Sequence, residues 1–96
     1  MSYSSVMVFE NDLSWAEGMK RFRANVVPGL NAAKKAKMIT SWTLVQTGDH
    51  IGMLIFGYPN KSARNKFAKA MAATRQGETE AGAQFWVYHG PIKASG

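Results

Sequence analysis

The stretch VMVFENDL, residues 6–13, carries large apolar side chains on both faces of one predicted strand. Successive side chains of a strand point to opposite faces, so Met7 and Phe9 lie on one side and Val6 and Val8 on the other. A strand with water on one side alternates apolar with polar residues. This strand therefore predicts a sheet that is covered on both faces.

The rest of the chain reads as three further strands and two helical segments. Ser14 and Glu17 form the S-x-x-E capping box that starts a helix, and the proline of Pro28-Gly29 interrupts that helix. The turn at Gly48-Asp49 separates two β-branched, apolar segments that predict a hairpin. The predicted strands are 3–10, 38–47, 50–58 and 84–89. The first predicted helix starts at 15 and resumes over 30–37. The second spans about 61–76, and the glycine of Gln76-Gly77 or Gly82 is expected to end it.

The element order is β-α-β-β-α-β, which is the ferredoxin-like arrangement. Right-handed crossovers then give a four-stranded antiparallel sheet with two helices on one face and strand 1 in the centre. A length of 96 residues fits one domain, which we place at 1–96. The predicted fold class is α+β.

The face of the sheet without helices carries at least six large apolar side chains in this arrangement. A soluble monomer rarely exposes an apolar patch larger than roughly 300–600 Å². The chain has no cysteine, so disulfides cannot supplement a small core. We therefore expect a homodimer in which the two helix-free faces pack against each other.

The net charge of +6 comes from basic residues spread along the predicted helices, which is typical of solvated helix faces. No segment is apolar over the length that a membrane span needs, and the N-terminal residues lack the pattern of a signal peptide. We expect a cytoplasmic protein with no membrane partner.

The chain resembles the dimeric α+β barrel superfamily in its length, in its element order and in strands that carry apolar side chains on both faces. The segments VVPGL at 26–30 and IFGYPNKSARNKF at 55–67 add to this resemblance. The superfamily includes antibiotic-biosynthesis monooxygenases, haem-degrading monooxygenases and stress-responsive proteins. The resemblance implies a homodimer that binds a small aromatic or apolar ligand, with cofactor-independent, monooxygenase-like catalysis as one activity. The alternative it leaves open is a non-catalytic dimeric stress-response or structural module.

The resemblance to haem-degrading members implies an Asn at the end of strand 1, with a Trp and a His on the second helix. Asn11 matches the first position, which makes it a candidate catalytic residue. Phe67 stands where the Trp is expected, and the second helix has no histidine. We therefore expect no haem and no other cofactor. Asn11 also fits a plain turn residue that bonds nearby backbone.

The resemblance to monooxygenase-type members implies a pocket between sheet and helices. Aromatic side chains there offer apolar bodies and polar tips to a ligand, although such residues are also common in cores. The candidate ligand-binding residues are Trp42, Tyr58, Arg64, Phe67, Trp86 and Tyr88.

The two histidines, His50 and His89, are candidate general bases. His50 starts strand 3 and His89 ends strand 4, and these strands run parallel, so the histidines lie at opposite ends of the sheet. This placement disfavours a shared metal within one subunit, and metal binding would need the second subunit of a dimer. We expect no metal site. A histidine at a turn or strand end also occurs without any function.

RNA-recognition motifs share this topology and stack bases on aromatics of strands 1 and 3, on the face of the sheet without helices. The matching positions here hold Ile51 and Met53 on strand 3 and Met7 on strand 1, and Asp49 replaces the basic residue that leads the motif. A nucleic-acid-binding domain is therefore the least favoured alternative.

Overall fold

The computed structural model describes residues 2–96, which form one four-stranded sheet with helices on one face. The element order confirms the predicted ferredoxin-like α+β fold. The elements are β1 (Tyr3–Glu10), α1 (Trp15–Asn25), α2 (Val27–Lys35), β2 (Ser41–Gln46), β3 (Ile51–Tyr58), α3 (Lys61–Ala70), α4 (Ala72–Glu80) and β4 (Gln84–Pro91).

The strands lie in the order β2-β3-β1-β4, and every neighbouring pair is antiparallel. β1 is central, as its two apolar faces predict. Val8 lies opposite Met53 of β3 and Trp86 of β4, and Met7 lies opposite Leu54. This register fixes which side chains share a face, because neighbours across the strands point the same way.

The first crossover is a broken helix. The Ser14 hydroxyl accepts a hydrogen bond from the backbone N–H of Glu17 at 3.2 Å, which confirms the predicted start of α1. The break comes at Val26, so the second segment begins earlier than the predicted residue 30. Pro28 lies in the first turn of α2, where backbone N–H groups have no acceptor within the helix, so the N–H that proline lacks is not missed as a hydrogen-bond donor.

The second crossover is also broken, and the prediction of one helix over 61–76 is wrong. Met71 has φ −95° and ψ 1°, which separates α3 from α4. Gly77 lies inside α4 and does not end it. The helix ends before Gly82, whose φ of 105° is the left-handed conformation that glycine adopts readily.

The core lies between the helices and the sheet face that they cover. Leu30 of α2 and Ile39 are essentially inaccessible, at 0% and 1% exposure. The sequence predicts Ile39 inside a strand, but β2 begins only at Ser41, and Ile39 belongs to the buried cluster of the core. The buried cluster comprises Tyr3, Leu30, Ala33, Ile39, Leu54, Phe56, Tyr58 and Phe67.

The helix-free face of the sheet carries apolar side chains from all four strands. Trp86 and Tyr88 are 43% and 65% exposed there. The expectation that Met7 lies on this face is wrong, because Met7 shares the helix-covered face with Leu54, and Val8 takes the helix-free position. The residues of this face, from the register, include Val6, Val8, Val45, Ile51, Met53, Ile55, Trp86 and Tyr88. None of the helices in residues 2–96 has the length and apolar character of a membrane span.

Candidate functional site

A cavity of about 130 Å³ lies between the sheet and the helices, toward the end of the sheet where β1 stops and β3 starts. Its walls are mainly apolar. An engineered apolar cavity of roughly 150 Å³ binds benzene, so this space has the size of about one aromatic ring. The sheet contributes Met7, Phe9, Leu44, Leu54, Phe56 and Phe85. The helices contribute Trp15, Met19, Phe22 and Phe67, and Met71 lines the cavity from the break between α3 and α4.

Two aromatic rings line the cavity near the start of β3. The rings of Phe9 and Trp15 have centroids 6.1 Å apart. A methyl group on Gly52 would lie 2.8 Å from Cε1 of Phe9 and 2.8 Å from Cη2 of Trp15, so these rings occupy the space that the glycine leaves. The Trp15 indole N–H donates to the carbonyl of Gly48 at 2.7 Å, which fixes the ring's orientation.

Polar groups from two turns lie together at the same end of the cavity. Two hydrogen bonds join the turns, and a third lies within the first turn. The backbone N–H of Asn11 donates to the carbonyl of His50 at 3.0 Å, and the N–H of Leu13 donates to Oδ1 of Asn11 at 3.1 Å. The ring of His50 bonds the Leu13 carbonyl through Nδ1 at 3.0 Å. The turn after β1 and the start of β3 therefore hold each other in place.

These bonds decide which atoms Asn11 and His50 offer to a ligand. A carbonyl oxygen only accepts, so Nδ1 of His50 carries the proton, and a neutral ring then has its free lone pair on Nε2. Oδ1 of Asn11 is already an acceptor for Leu13, so its NH₂ group remains as a donor. Both residues line the cavity. The site thus holds one hydrogen-bond acceptor, Nε2 of His50, and one hydrogen-bond donor, the NH₂ group of Asn11, beside an apolar space.

An ion pair joins α1 to α4 beside the cavity. Nη2 of Arg21 lies 3.0 and 3.2 Å from the two carboxylate oxygens of Glu78. Both side chains are partly exposed, so the pair adds little to stability. Next to it the guanidinium of Arg75 lies 5.9 Å from the ring centre of Phe85, in cation–π contact. These four residues all line the cavity.

Three of the residues singled out from the sequence meet at this cavity: Asn11, His50 and Phe67. Phe67 is buried, and its ring centroid lies 5.0 Å from that of Phe56 and 5.9 Å from that of Tyr58. Phe67 therefore belongs to the hydrophobic core and also lines the cavity.

The other candidates lie elsewhere. Trp42 borders a neighbouring surface groove, 5.7 Å from Phe22 between ring centroids. Trp86 and Tyr88 lie on the helix-free face, on the opposite side of the sheet from the cavity. Tyr58, Arg64 and His89 are also absent from the cavity walls, and Tyr58 and His89 lie toward the opposite end of the sheet.

That far end carries its own small hydrogen-bond network. The hydroxyls of Ser5 and Tyr58 are 2.7 Å apart, and the Tyr3 hydroxyl lies 2.7 Å from Nδ1 of His89. Burial raises the pKa of Tyr58 above its ordinary value, although the Ser5 bond and the charge of Arg64 act the other way. Desolvation and nearby cationic side chains lower the pKa of His89. Both shifts favour the uncharged form of the side chain.

Solved structures with the same architecture span almost this entire chain. A dimeric ferredoxin-like protein from an uncultured marine organism has a TM-score of 0.80 and 10% identity, over 99% of this chain and 97% of that one. SnoaB, a cofactor-independent oxygenase from Streptomyces nogalater, has a TM-score of 0.72 and 14% identity, over 98% and 95%. This chain has the fold of these ferredoxin-like proteins.

A protein of unknown function from Nitrosomonas europaea has the same fold, with a TM-score of 0.71 and 11% identity over 100% of this chain and 94% of that one. No family model matches the sequence, and no curated protein is significantly similar to it. At these identities the likeness shows the fold alone, and it agrees with the ferredoxin-like α+β fold that the sequence predicts.

The sequence-based selection missed several cavity residues. Trp15, Met19 and Phe22 form the apolar face of α1, but their spacing alone does not separate a cavity wall from a filled core. Phe85 precedes Trp86 and so points to the opposite face. The signal that could have found Phe85 is this alternation, combined with knowledge of which face the helices cover.

Proposed function

We propose that the chain, as one domain over 1–96, forms a homodimer through its helix-free sheet face and binds a small aromatic or apolar molecule in the cavity of each subunit. The observation that carries the ligand proposal is the apolar cavity of about 130 Å³ with Asn11 and His50 at one end. Ligand sites are typically apolar with a few well-placed polar groups. A cytoplasmic location and the absence of nucleic-acid partners stay predictions.

Direct binding tests the ligand proposal. We expect benzene, ethylbenzene and indole at millimolar concentration to raise the melting temperature, because a ligand that binds only the folded state stabilises it. The Thr74→Phe variant places a ring against the cavity wall on α4 and is expected to weaken binding by about tenfold or more. Thermal unfolding and protein-observed NMR titration measure both effects.

The matched control is Thr79→Phe, which puts the same ring on an exposed position of α4 that does not line the cavity. This variant should bind like the unmodified protein. Equal weakening by both variants, or no shift with any of the three compounds, would contradict the proposal.

The dimer proposal rests on the helix-free face. Its apolar residues run continuously over four strands, and Tyr88 at its edge strand is 65% exposed. Exposed apolar areas of this kind mark interaction sites. A two-fold symmetric dimer, in which identical faces pack against each other, is the commonest closed oligomer. The similar marine protein is described as dimeric.

Cofactor-independent oxygenation is the activity that we propose for the site. An oxygenase without a cofactor takes its electrons from the substrate, which first has to lose a proton to a base. His50 offers Nε2 for this proton, and the NH₂ group of Asn11 can donate to the oxygen on which negative charge develops. The similar fold of SnoaB, a cofactor-independent oxygenase, supports this reading.

Oxygen uptake in the presence of one-ring hydroquinones and enols tests the activity. We expect uptake above the spontaneous rate, and a loss of about 10²-fold or more in the His50→Gln variant, since glutamine cannot take up a proton. His89→Gln is the control, because that histidine lies outside the cavity walls. Uptake at the spontaneous rate for all these substrates, with ligand binding intact, would instead favour a non-catalytic module.

A further inference from the structure

Gly18 is the fourth residue of α1 and lies on the helix face that covers the cavity. Trp15, Gly18 and Phe22 are spaced i, i+3 and i+7, which places them on one side of the helix, and all three line the cavity. The sequence therefore has a glycine where its neighbours along the same face are large aromatic residues.

The backbone does not require glycine at this position. Gly18 belongs to a regular helix, and Gly82 is the glycine that has a positive φ in residues 2–96. Glycine inside a helix is less stable than alanine, because it loses more conformational freedom on folding. Helix geometry thus favours any other residue with a good helix propensity.

Close packing does not require it either. A methyl group on Gly18 would meet no atom within 4 Å. Gly52 is the contrasting case, where two aromatic rings fill the position of a side chain. What glycine provides at position 18 is open space beside the apolar walls of the cavity.

We infer that Gly18 sets the size of the ligand, which is an aromatic ring extended by a short alkyl group or a second fused ring that lies against α1. The inference deepens the proposed function and rests on it. The cavity itself has the volume of about one ring. Gly18 is a half-buried residue of the cavity wall with open space above it, and we place the extension there. A side chain at this position would take that space away.

The experiment compares benzene with ethylbenzene as probes, by NMR titration of the unmodified protein and two variants. Burial of two additional carbon atoms is expected to make ethylbenzene bind about tenfold more tightly than benzene. In Gly18→Leu this preference should fall to about twofold or less, because the leucine side chain takes the space of the two additional carbon atoms. Gly18→Ala should have an intermediate preference. Both variants should fold, because each replaces glycine by a stronger helix former.

Gly77→Leu is the matched control. Gly77 also lies in a helix, a methyl group there also meets nothing within 4 Å, and the residue does not line the cavity. It should keep the preference for ethylbenzene. If Gly18→Leu keeps the preference as well, the role of Gly18 is overturned while the ligand proposal stands. If the unmodified protein binds neither probe, both proposals are overturned.

Discussion

The Val8→Lys variant is expected to sediment as a folded monomer at micromolar concentrations at which the unmodified protein sediments as a dimer. Val8 lies in the central strand, between Met53 and Trp86 on the helix-free face. An ammonium group at the centre of a packed apolar interface has no partner of opposite charge. An uncompensated buried charge costs about 3–5 kcal/mol, and two-fold symmetry places it in the interface twice.

This cost corresponds to a rise in the dissociation constant by a factor of several hundred or more. Ala68→Lys is the control, because it adds the same charge to an exposed position of α3. Tyr88→Lys is a second variant on the edge strand, where a 65% exposed side chain contributes little to the fold of a single subunit. A stable dimer in both Val8→Lys and Tyr88→Lys would exclude the helix-free face as the interface.

The Gly52→Ala variant is expected to lose about 2 kcal/mol of unfolding free energy and most of its ligand binding. The added methyl group would overlap the ring of Phe9 and approach Cη2 of Trp15 to 2.8 Å. Overpacking of this kind typically costs 1–3 kcal/mol. Because the indole is tied to the Gly48 carbonyl, the ring of Phe9 has to move, and the free space next to it is the cavity.

Urea unfolding and titration with benzene measure the two losses. Gly90→Ala in β4 is the control, since a methyl group there meets nothing within 4 Å. The double variant Gly52→Ala with Phe9→Leu removes the aromatic ring that the methyl group strikes. In a double-mutant cycle the two changes should therefore couple by more than about 0.5 kcal/mol. Purely additive effects would show that Phe9 does not transmit the strain.

The sequence was sufficient to predict the architecture, because its strongest patterns are local. The two apolar faces of β1 required a central, covered strand, and the S-x-x-E pattern fixed the start of α1 at Ser14. Pro28 indicated the first helix break, although it lies inside the following helix. The second break, at Met71, has no proline or glycine at that position from which it could have been predicted.

The candidate site was harder to predict, because it depends on which sheet face the helices cover. A shift of one residue along a strand exchanges the faces, so Phe85 and Trp86 cannot be assigned from alternation alone. The register settles this and puts Phe85 at the cavity and Trp86 on the opposite side. The hydrogen bonds from Asn11 and His50 also depend on tertiary structure, since the two residues are far apart in the sequence.

The alternation of side chains along β1 also determines how this strand can change in evolution. Met7 and Phe9 face the cavity, while Val6 and Val8 face the other way. Substitutions can alter one surface and leave the other intact. An insertion or deletion of a single residue within β1 would exchange the two sets of side chains and damage both surfaces together. Among natural variants of this chain, length changes should therefore accumulate in the turns, while β1 keeps its length.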